Sequence, residues 1–290
     1  MSTDLRVFGP AKLNLFLHVG PPRADGRHPL ESLAVFADVG DWLAFSPAED
    51  LQLHIEGPFA AGLHAEGDNL VLRAARLLAD AAGIAAHARI ILEKNLPIAS
   101  GIGGGSADAA AALRGLARLW KLQWPEIELA RLAGQLGADV PVCVVSRSAM
   151  MRGAGEITAP APIAPLHGVL VNPGLPLGTG EVYRAFDAMG LGEEFAANST
   201  PLPQGEDVVG WLRQQRNDLE APAIALCPAI GAVLAALKAQ PQCLLARMSG
   251  SGATCFALTQ SSADSVQVAK AISRDHPQWW AVPARFGDGI

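Results

Sequence analysis

Between residues 6 and 19 apolar and polar residues alternate, with Leu13, Leu15, Leu17 and Val19 on one side and Lys12, Asn14, Phe16 and His18 on the other. A period of two predicts a strand, with the leucines in a core and Lys12 and Asn14 facing solvent or a ligand. Glycines and prolines at 20–29 predict a turn-rich connection, followed by short strands at 33–36, 41–45 and 51–55. After Asp68 and Asn69 the period lengthens. LVLRAARLLADAA repeats its apolar residues at helical spacing and stops at Gly83, which predicts a capped helix. A strand, ARIILEKN, leads into a glycine run, and helices are predicted at 106–120 and 125–136. The first of these is alanine-rich and apolar on most faces, so it is expected to be buried.

From 150 to 167 the composition shifts to Gly, Ala and Pro, with Pro160, Pro162 and Pro165 close together. This predicts a change of domain and divides the chain into 1–155 and 156–290. Beyond it the pattern gives a strand near 169–172, helices at 181–189, 207–214 and 229–238, then strand, glycine turn and strand at 244–258. The fold class expected is α+β.

Composition narrows the function classes. With 290 residues, 50% hydrophobic and 17% charged, the chain can bury a sizeable core and is far from disordered compositions. A net charge of -6 without any basic run argues against a sequence-independent hold on nucleic acid, which needs a basic surface. Cys143, Cys227, Cys243 and Cys255 lack C-x-x-C spacing, so reduced, mostly buried thiols are expected and no metal site is assigned. The start, MSTDLRVFGPAKLNLFL, has Asp4 and Arg6 ahead of the alternation and lacks the zones of a signal peptide. No apolar stretch approaches the ~20 residues that span a bilayer. A cytoplasmic location without membrane attachment is expected.

The chemistry is concentrated at 96–113, LPIASGIGGGSADAAAAL. A glycine cluster that opens a helix binds anions, because glycines let a phosphate approach the main chain while unpaired N–H groups and the positive end of the helix dipole face it. Ser106 adds a hydroxyl suited to a phosphate oxygen or a magnesium ion. No lysine follows these glycines, which excludes a Walker A loop. Counting from Gly101 puts Ser106 where a dinucleotide fingerprint needs its third glycine. Protein-kinase landmarks are absent as well. The plainer alternative is a glycine turn that merely permits tight packing.

Three segments together carry a resemblance: GPAKLNLFLHVG at 9–20, the glycine run with its helix, and RMSGSGATCFAL at 247–258. In that order they resemble the three motifs of the GHMP kinase superfamily. Four stretches are more specific: AKLNLFLHV, PRADGRHPLESL at 22–33, LGADVPVCV at 136–144 and RNDLEAPA at 216–223. They are similar to the branch that phosphorylates the 2-hydroxyl of 4-diphosphocytidyl-2-C-methyl-D-erythritol in the non-mevalonate route to isoprenoids. The resemblance covers nearly the whole chain. It implies a two-domain GHMP kinase fold with the active site in the cleft between the domains, ATP and Mg2+ as cofactors, and a diphosphocytidyl-methylerythritol substrate. A monomer or weak homodimer is expected.

The resemblance also implies roles. Asp139 corresponds to the catalytic base, although a G-x-D-x-P aspartate is commonly a turn or N-cap residue. Lys12 is placed beside it, where an ammonium keeps the carboxylate ionised and favours a nascent alkoxide; alternation alone leaves open a lysine on an exposed strand face. Asn14 shares that face. Pro97, Ser100, Gly101, Gly103, Gly104, Gly105 and Ser106 form the nucleotide loop, with Lys94 near the ribose and Asn69 near the adenine. Asp108 stands where relatives often carry asparagine, and helix capping is its expected role. His28 corresponds to the residue that reads cytosine, and Tyr183 to one side of a cytosine sandwich. On the other side Arg27 replaces the family's usual aromatic residue, and a guanidinium plane can also stack on a base. Ser249 and Gly250 open a turn that suits close approach to the first motif or a phosphate, although a plain hairpin also uses such a turn. Two alternatives stay open: another GHMP small-molecule kinase, of homoserine or mevalonate type, and a catalytically silent nucleotide-binding relative.

Overall fold

The computed structural model describes residues 5–24, 26–63, 69–153, 155–193 and 207–289. Asp4, Asp25 of the ADGRH segment and Asp68 lie outside the described residues. Strand β1, Leu5–Val19, runs antiparallel to β2, Leu30–Ser46. Two separate strands were expected where β2 is a single one. The chain does not turn at Gly40, because that glycine serves close approach instead: a Cβ there would meet Gly9 O at 2.3 Å and the Phe8 ring at 2.7 Å. The alternating faces of β1 are also not one buried and one open. Lys12, Asn14, Phe16 and His18 are all buried, with Phe16 packed edge-on against Trp211.

Next come β3, Leu51–Glu56; α1, Leu70–Ala82; and β4, Ala88–Glu93. Asn69 caps α1 by accepting from Val71 N at 2.9 Å, and Gly83 ends it in the left-handed region at φ 66°, as the pattern predicts. Helices α2, Gly104–Leu119, α3, Glu126–Ala133, and α4, Val140–Val145, complete the first half. The proline-rich stretch holds an unexpected hairpin of β5, Ala149–Gly153, and β6, Glu156–Pro160, in which β5 also pairs with β2. The prolines lie at its end and beyond, where no ladder donor is needed.

The second half contains β7, Leu166–Asn172; α5, Thr179–Ala188; α6, Val208–Arg213; and α7, Glu220–Leu226. It continues with α8, Ala229–Lys238; β8, Leu245–Met248; β9, Cys255–Thr259; α9, Ser262–Asp275; and β10, Trp280–Gly287. α7, α9 and β10 lack a counterpart in the sequence reading. α7 carries Pro222 in its first turn, where a missing N–H costs nothing. The sheet runs β3-β4-β2-β10-β7-β9-β8, so the last strand of the chain lies in its middle. One core packs beneath α1–α4, a second packs around β7–β9, α5 and α7–α9, and a third group including Leu13, Leu212 of α6, Phe256 and Phe286 joins them. Among the described residues all four cysteines are free, three of them buried. None of the described helices is long and apolar enough to cross a membrane.

Candidate active site

The segment leading into the glycine run is shaped from behind by Asp41 of β2, which is fully buried. Its Oδ1 accepts from Asn95 N at 2.6 Å and Leu96 N at 2.9 Å, and its Oδ2 accepts from Lys94 Nζ at 2.5 Å. Downstream, Ser100 Oγ donates to Pro97 O at 2.6 Å. Ala99, Gly101 and Gly103 take φ of 47°, 74° and 64°, a left-handed winding that glycine permits at two of these three positions. Helix α2 starts at Gly104, two residues before the expected start, with Gly103 as N-cap and no side-chain cap. Its first N–H groups have no intrahelical acceptor, and Gly104, Gly105 and Ser106 line a cavity of about 540 Å³.

The three distant motifs meet through main-chain contacts and the Ser249 hydroxyl. Lys12 N donates to Ile102 O at 2.9 Å, Asn14 N to Ser249 Oγ at 3.1 Å, Ser249 Oγ to Gly101 O at 3.1 Å, and Thr254 N to Ser100 O at 3.0 Å. The approach is so close that a Cβ on Gly101 would lie 2.5 Å from Ser249 O, and one on Gly250 2.8 Å from Gly101 O. Asn217, in the RNDLE stretch, fixes the same turn by donating from Nδ2 to Met248 O and Gly250 O, both at 2.8 Å.

Lys12 and Asp139 face each other in this cavity, Nζ to Oδ2 2.9 Å, with the lysine side chain 4% exposed and the aspartate 39%. Lys12 Nζ also donates to Asn14 Oδ1 at 2.9 Å, Asn14 Nδ2 to Ser32 Oγ at 2.7 Å, and Ser32 Oγ to Phe16 O at 2.6 Å. This relay leaves the ammonium little freedom. Asp139 precedes α4 but makes no side-chain cap hydrogen bond, so its carboxylate is directed to Lys12 rather than to the helix.

The remaining expected residues divide. Asn69, Lys94, Pro97, Ser100, Gly101, Gly103, Tyr183 and Gly250 line the cavity, while Ser249 is wholly buried behind it. Lys94 is held between two carboxylates, its Nζ 2.5 Å from Asp41 and 2.7 Å from Asp108. Burial pulls its pKa down, but Asp108 and Asp41 outweigh this and raise it. Asp108 does not cap α2. Because the helix starts at Gly104, Asp108 lies a full turn inside it and pairs with Lys94 instead. Burial pushes its carboxyl up to about 8, with Lys94 opposing and Asp41 reinforcing the rise. Its Oδ1 has no hydrogen-bond partner.

His28 and Tyr183 form a pair, ring centroids 4.9 Å apart and tilted by 42°. His28 Nδ1–H donates to Gly20 O at 2.9 Å, and its Nε2 lies 3.5 Å from Asp187 Oδ1. Of the two, Tyr183 lines the cavity and His28 supports it from behind. Burial and then the Asp139 charge push the Tyr183 hydroxyl up to about 12. Arg27 is exposed in the neighbouring loop, outside the cavity lining. Sequence reasoning missed Thr179 and took Ser251 only as part of the third motif's turn; the two line the cavity with their hydroxyls 2.9 Å apart.

Residues 69–147 match the family model for the GHMP kinases N terminal domain, and residues 209–278 match that for GHMP kinases C terminal. With the site above, they define a GHMP kinase, an ATP-dependent enzyme acting on a small molecule. A Hyphomonas neptunium protein named 4-diphosphocytidyl-2-C-methyl-D-erythritol kinase is 52% identical over 98% of this chain and 97% of its own. Its namesake from Paramagnetospirillum magneticum is 49% identical over 98% and 99%. A crystal structure of 4-(cytidine 5'-diphospho)-2C-methyl-D-erythritol kinase superposes with a TM-score of 0.78 at 34% identity, covering 98% of this chain and 100% of that one. L. major mevalonate kinase in complex with R-mevalonate shares the fold, with a TM-score of 0.73 at 17% identity over 100% and 97%. The chain belongs to the 4-diphosphocytidyl-2-C-methyl-D-erythritol kinase family.

Proposed function

We propose that the chain transfers the γ-phosphoryl group of ATP to the 2-hydroxyl of 4-diphosphocytidyl-2-C-methyl-D-erythritol. The observation that carries this reading is the 2.9 Å pair of Lys12 and Asp139 in the same cavity as the glycine-lined start of α2. Phosphoryl transfer asks the protein mainly to align two substrates and to stabilise spreading negative charge. Asp139 accepts the proton of the attacking hydroxyl. Lys12 holds that carboxylate in place and attracts the nascent alkoxide, and Asn14 orients both Lys12 and the acceptor. The terminal phosphates lie on the N–H groups of Gly103, Gly104, Gly105 and Ser106. Pro97, Ser100 and Gly101 shape that loop, and Asn69 lies toward the base. Lys94 acts on the nucleotide through the loop it braces.

Cytosine packs on Tyr183, with His28 holding that ring and Arg27 closing over the other face. Gly250 approaches the substrate diphosphate, and Ser249 sets the turn that presents it. A magnesium ion would arrive on the nucleotide, keep most of its waters and touch the protein through Ser106. Such an ion would neutralise part of the phosphate charge. We place the functional boundary at 155/156, the ATP-binding part before it and the part bearing the third motif after it. We also propose a cytoplasmic monomer or weak homodimer.

ADP release is the test, measured with ATP, magnesium and one acceptor at a time. Diphosphocytidyl-methylerythritol is expected to support turnover, and mevalonate and homoserine are not. Turnover with either of those two alone would reassign the enzyme within the superfamily. ATP binding with no turnover on any acceptor would make it a silent relative, against which the intact Lys12–Asp139 pair speaks.

A further inference from the structure

Arg114 lies on α2 but outside the cavity lining. Its guanidinium donates to Cys143 O at 2.7 Å, Val144 O at 3.2 Å and Ser146 Oγ at 3.4 Å from one nitrogen, and to Phe8 O at 2.7 Å from another. None of these acceptors is a carboxylate. The side chain is half-buried, and burial holds its pKa down at about 10. Such a placement is costly, and an apolar side chain would fill the space more cheaply.

The acceptors connect this cation to the reacting pair. Phe8 lies on β1 four residues before Lys12, and Cys143 lies on α4 four residues after Asp139. α2 itself carries the glycine-lined start. α4 is short, six residues, and a helix of that length has little stability of its own. Its last carbonyls lack intrahelical donors; Ser146 Oγ donates to Cys143 O at 2.6 Å, and Arg114 donates to Cys143 O and Val144 O. On β1, Phe8 O is bound by Arg114 and Lys12 N by Ile102 O, so α2 and the loop before it hold that strand on both sides of Pro10.

We propose that Arg114 is a positioning residue for phosphoryl transfer. By joining Phe8 O of β1 to Cys143 O and Val144 O of α4, its fork fixes the spacing of Lys12 and Asp139 relative to the helix that holds the phosphates. The proposal rests on Lys12 and Asp139 being the reacting pair. Lysine cannot replace the fork, because one ammonium on a shorter reach cannot serve both elements.

The test measures kcat, the KM for each substrate and the melting temperature of Arg114→Lys and Arg114→Met. Small misplacements at a reacting centre cost up to about a hundredfold, so kcat is expected to fall about ten- to a hundredfold in both variants, with the KM for ATP within about twofold. Sub-denaturing guanidinium is expected to restore part of the kcat of Arg114→Ala. Wild-type kcat with only a lowered melting temperature, a loss confined to the KM for ATP, or failure of Arg114→Lys to fold would each overturn the proposal. Asp139→Asn separates this from the reading beneath it. If that variant is inactive while Arg114→Met turns over normally, only the role of Arg114 fails; if it is active, the reacting pair itself is wrong.

Discussion

At the scale of single residues, the proposed mechanism separates groups that react from groups that hold them. Among the described residues Asp139 is the one carboxylate that both lines the cavity and is partly open to water, while its partner Lys12 is anchored through Asn14 and Ser32 to the main chain of Phe16. Asp139→Asn keeps the shape and removes the proposed base. General acid–base contributions run to about 10²–10⁴-fold, so kcat is expected to fall by about that factor while ATP affinity stays within about twofold. Steady-state kinetics together with calorimetric ATP binding checks this, and an unchanged kcat would sink the assignment. Lys12, Asp139 and the glycines were legible because motif context marks them. Asp41 was not: it contacts Lys94, Asn95 and Leu96 across 53 to 55 positions in sequence, and an aspartate in a strand pattern signals nothing about a loop so far away. Ser249 was legible as part of a motif, but its direction, away from the cavity and into the seam between the motifs, depends on tertiary contacts that no local pattern contains.

At the scale of elements, the two-residue shift in the start of α2 changes what its side chains do. Alanines give no start signal and glycines argue against helix, so the pattern placed the beginning at Ser106. The true start at Gly104 moves Asp108 from the expected cap into the helix interior, beside Lys94. There its carboxyl, pushed from 3.8 to about 8 by burial, keeps a proton that the unfolded chain has already released between those values. The folded state therefore binds more protons in that window, and the stabilisation falls as pH rises from about 4 toward about 8. In Asp108→Asn an amide that cannot titrate replaces this group. The melting temperature of the variant minus that of the wild type is expected to increase steadily across pH 5 to about 8 and then level off. Parallel curves would show that Asp108 is ionised throughout. The strands were misjudged for a related reason: the pattern left 37–40 between two strands and gave no strand at 156–160, whereas Gly40 permits close strand approach and the prolines sit at a strand end or beyond.

At the scale of the whole molecule, the most consequential element is the one the sequence hid best. β10 has the composition WAVPARFG, with a proline that argues against a central strand, yet it lies between β2 and β7. It tolerates Pro283 because it pairs with β2 only at Phe286 and Gly287, leaving one edge unladdered at the proline. The sheet therefore continues from the half that carries the phosphate loop into the half that carries the third motif. Phe286 is the hinge pin of this arrangement: it is wholly buried, it pairs with Ala37 of β2, and its ring lies 6.3 Å from that of Phe256 on β9. Truncating a buried phenylalanine costs about 3–5 kcal/mol, so Phe286→Ala is expected to lower urea stability by that amount. The shared core makes a further demand, that both halves unfold together. Trp120 and Trp124 report on the first half and Trp279 and Trp280 on the second, so single-tryptophan versions of the variant should give coincident transitions in fluorescence and circular dichroism. Two separated transitions would mean that the halves are independent domains that merely touch, and the alignment of the three motifs would then have to come from the bound substrates rather than from the sheet.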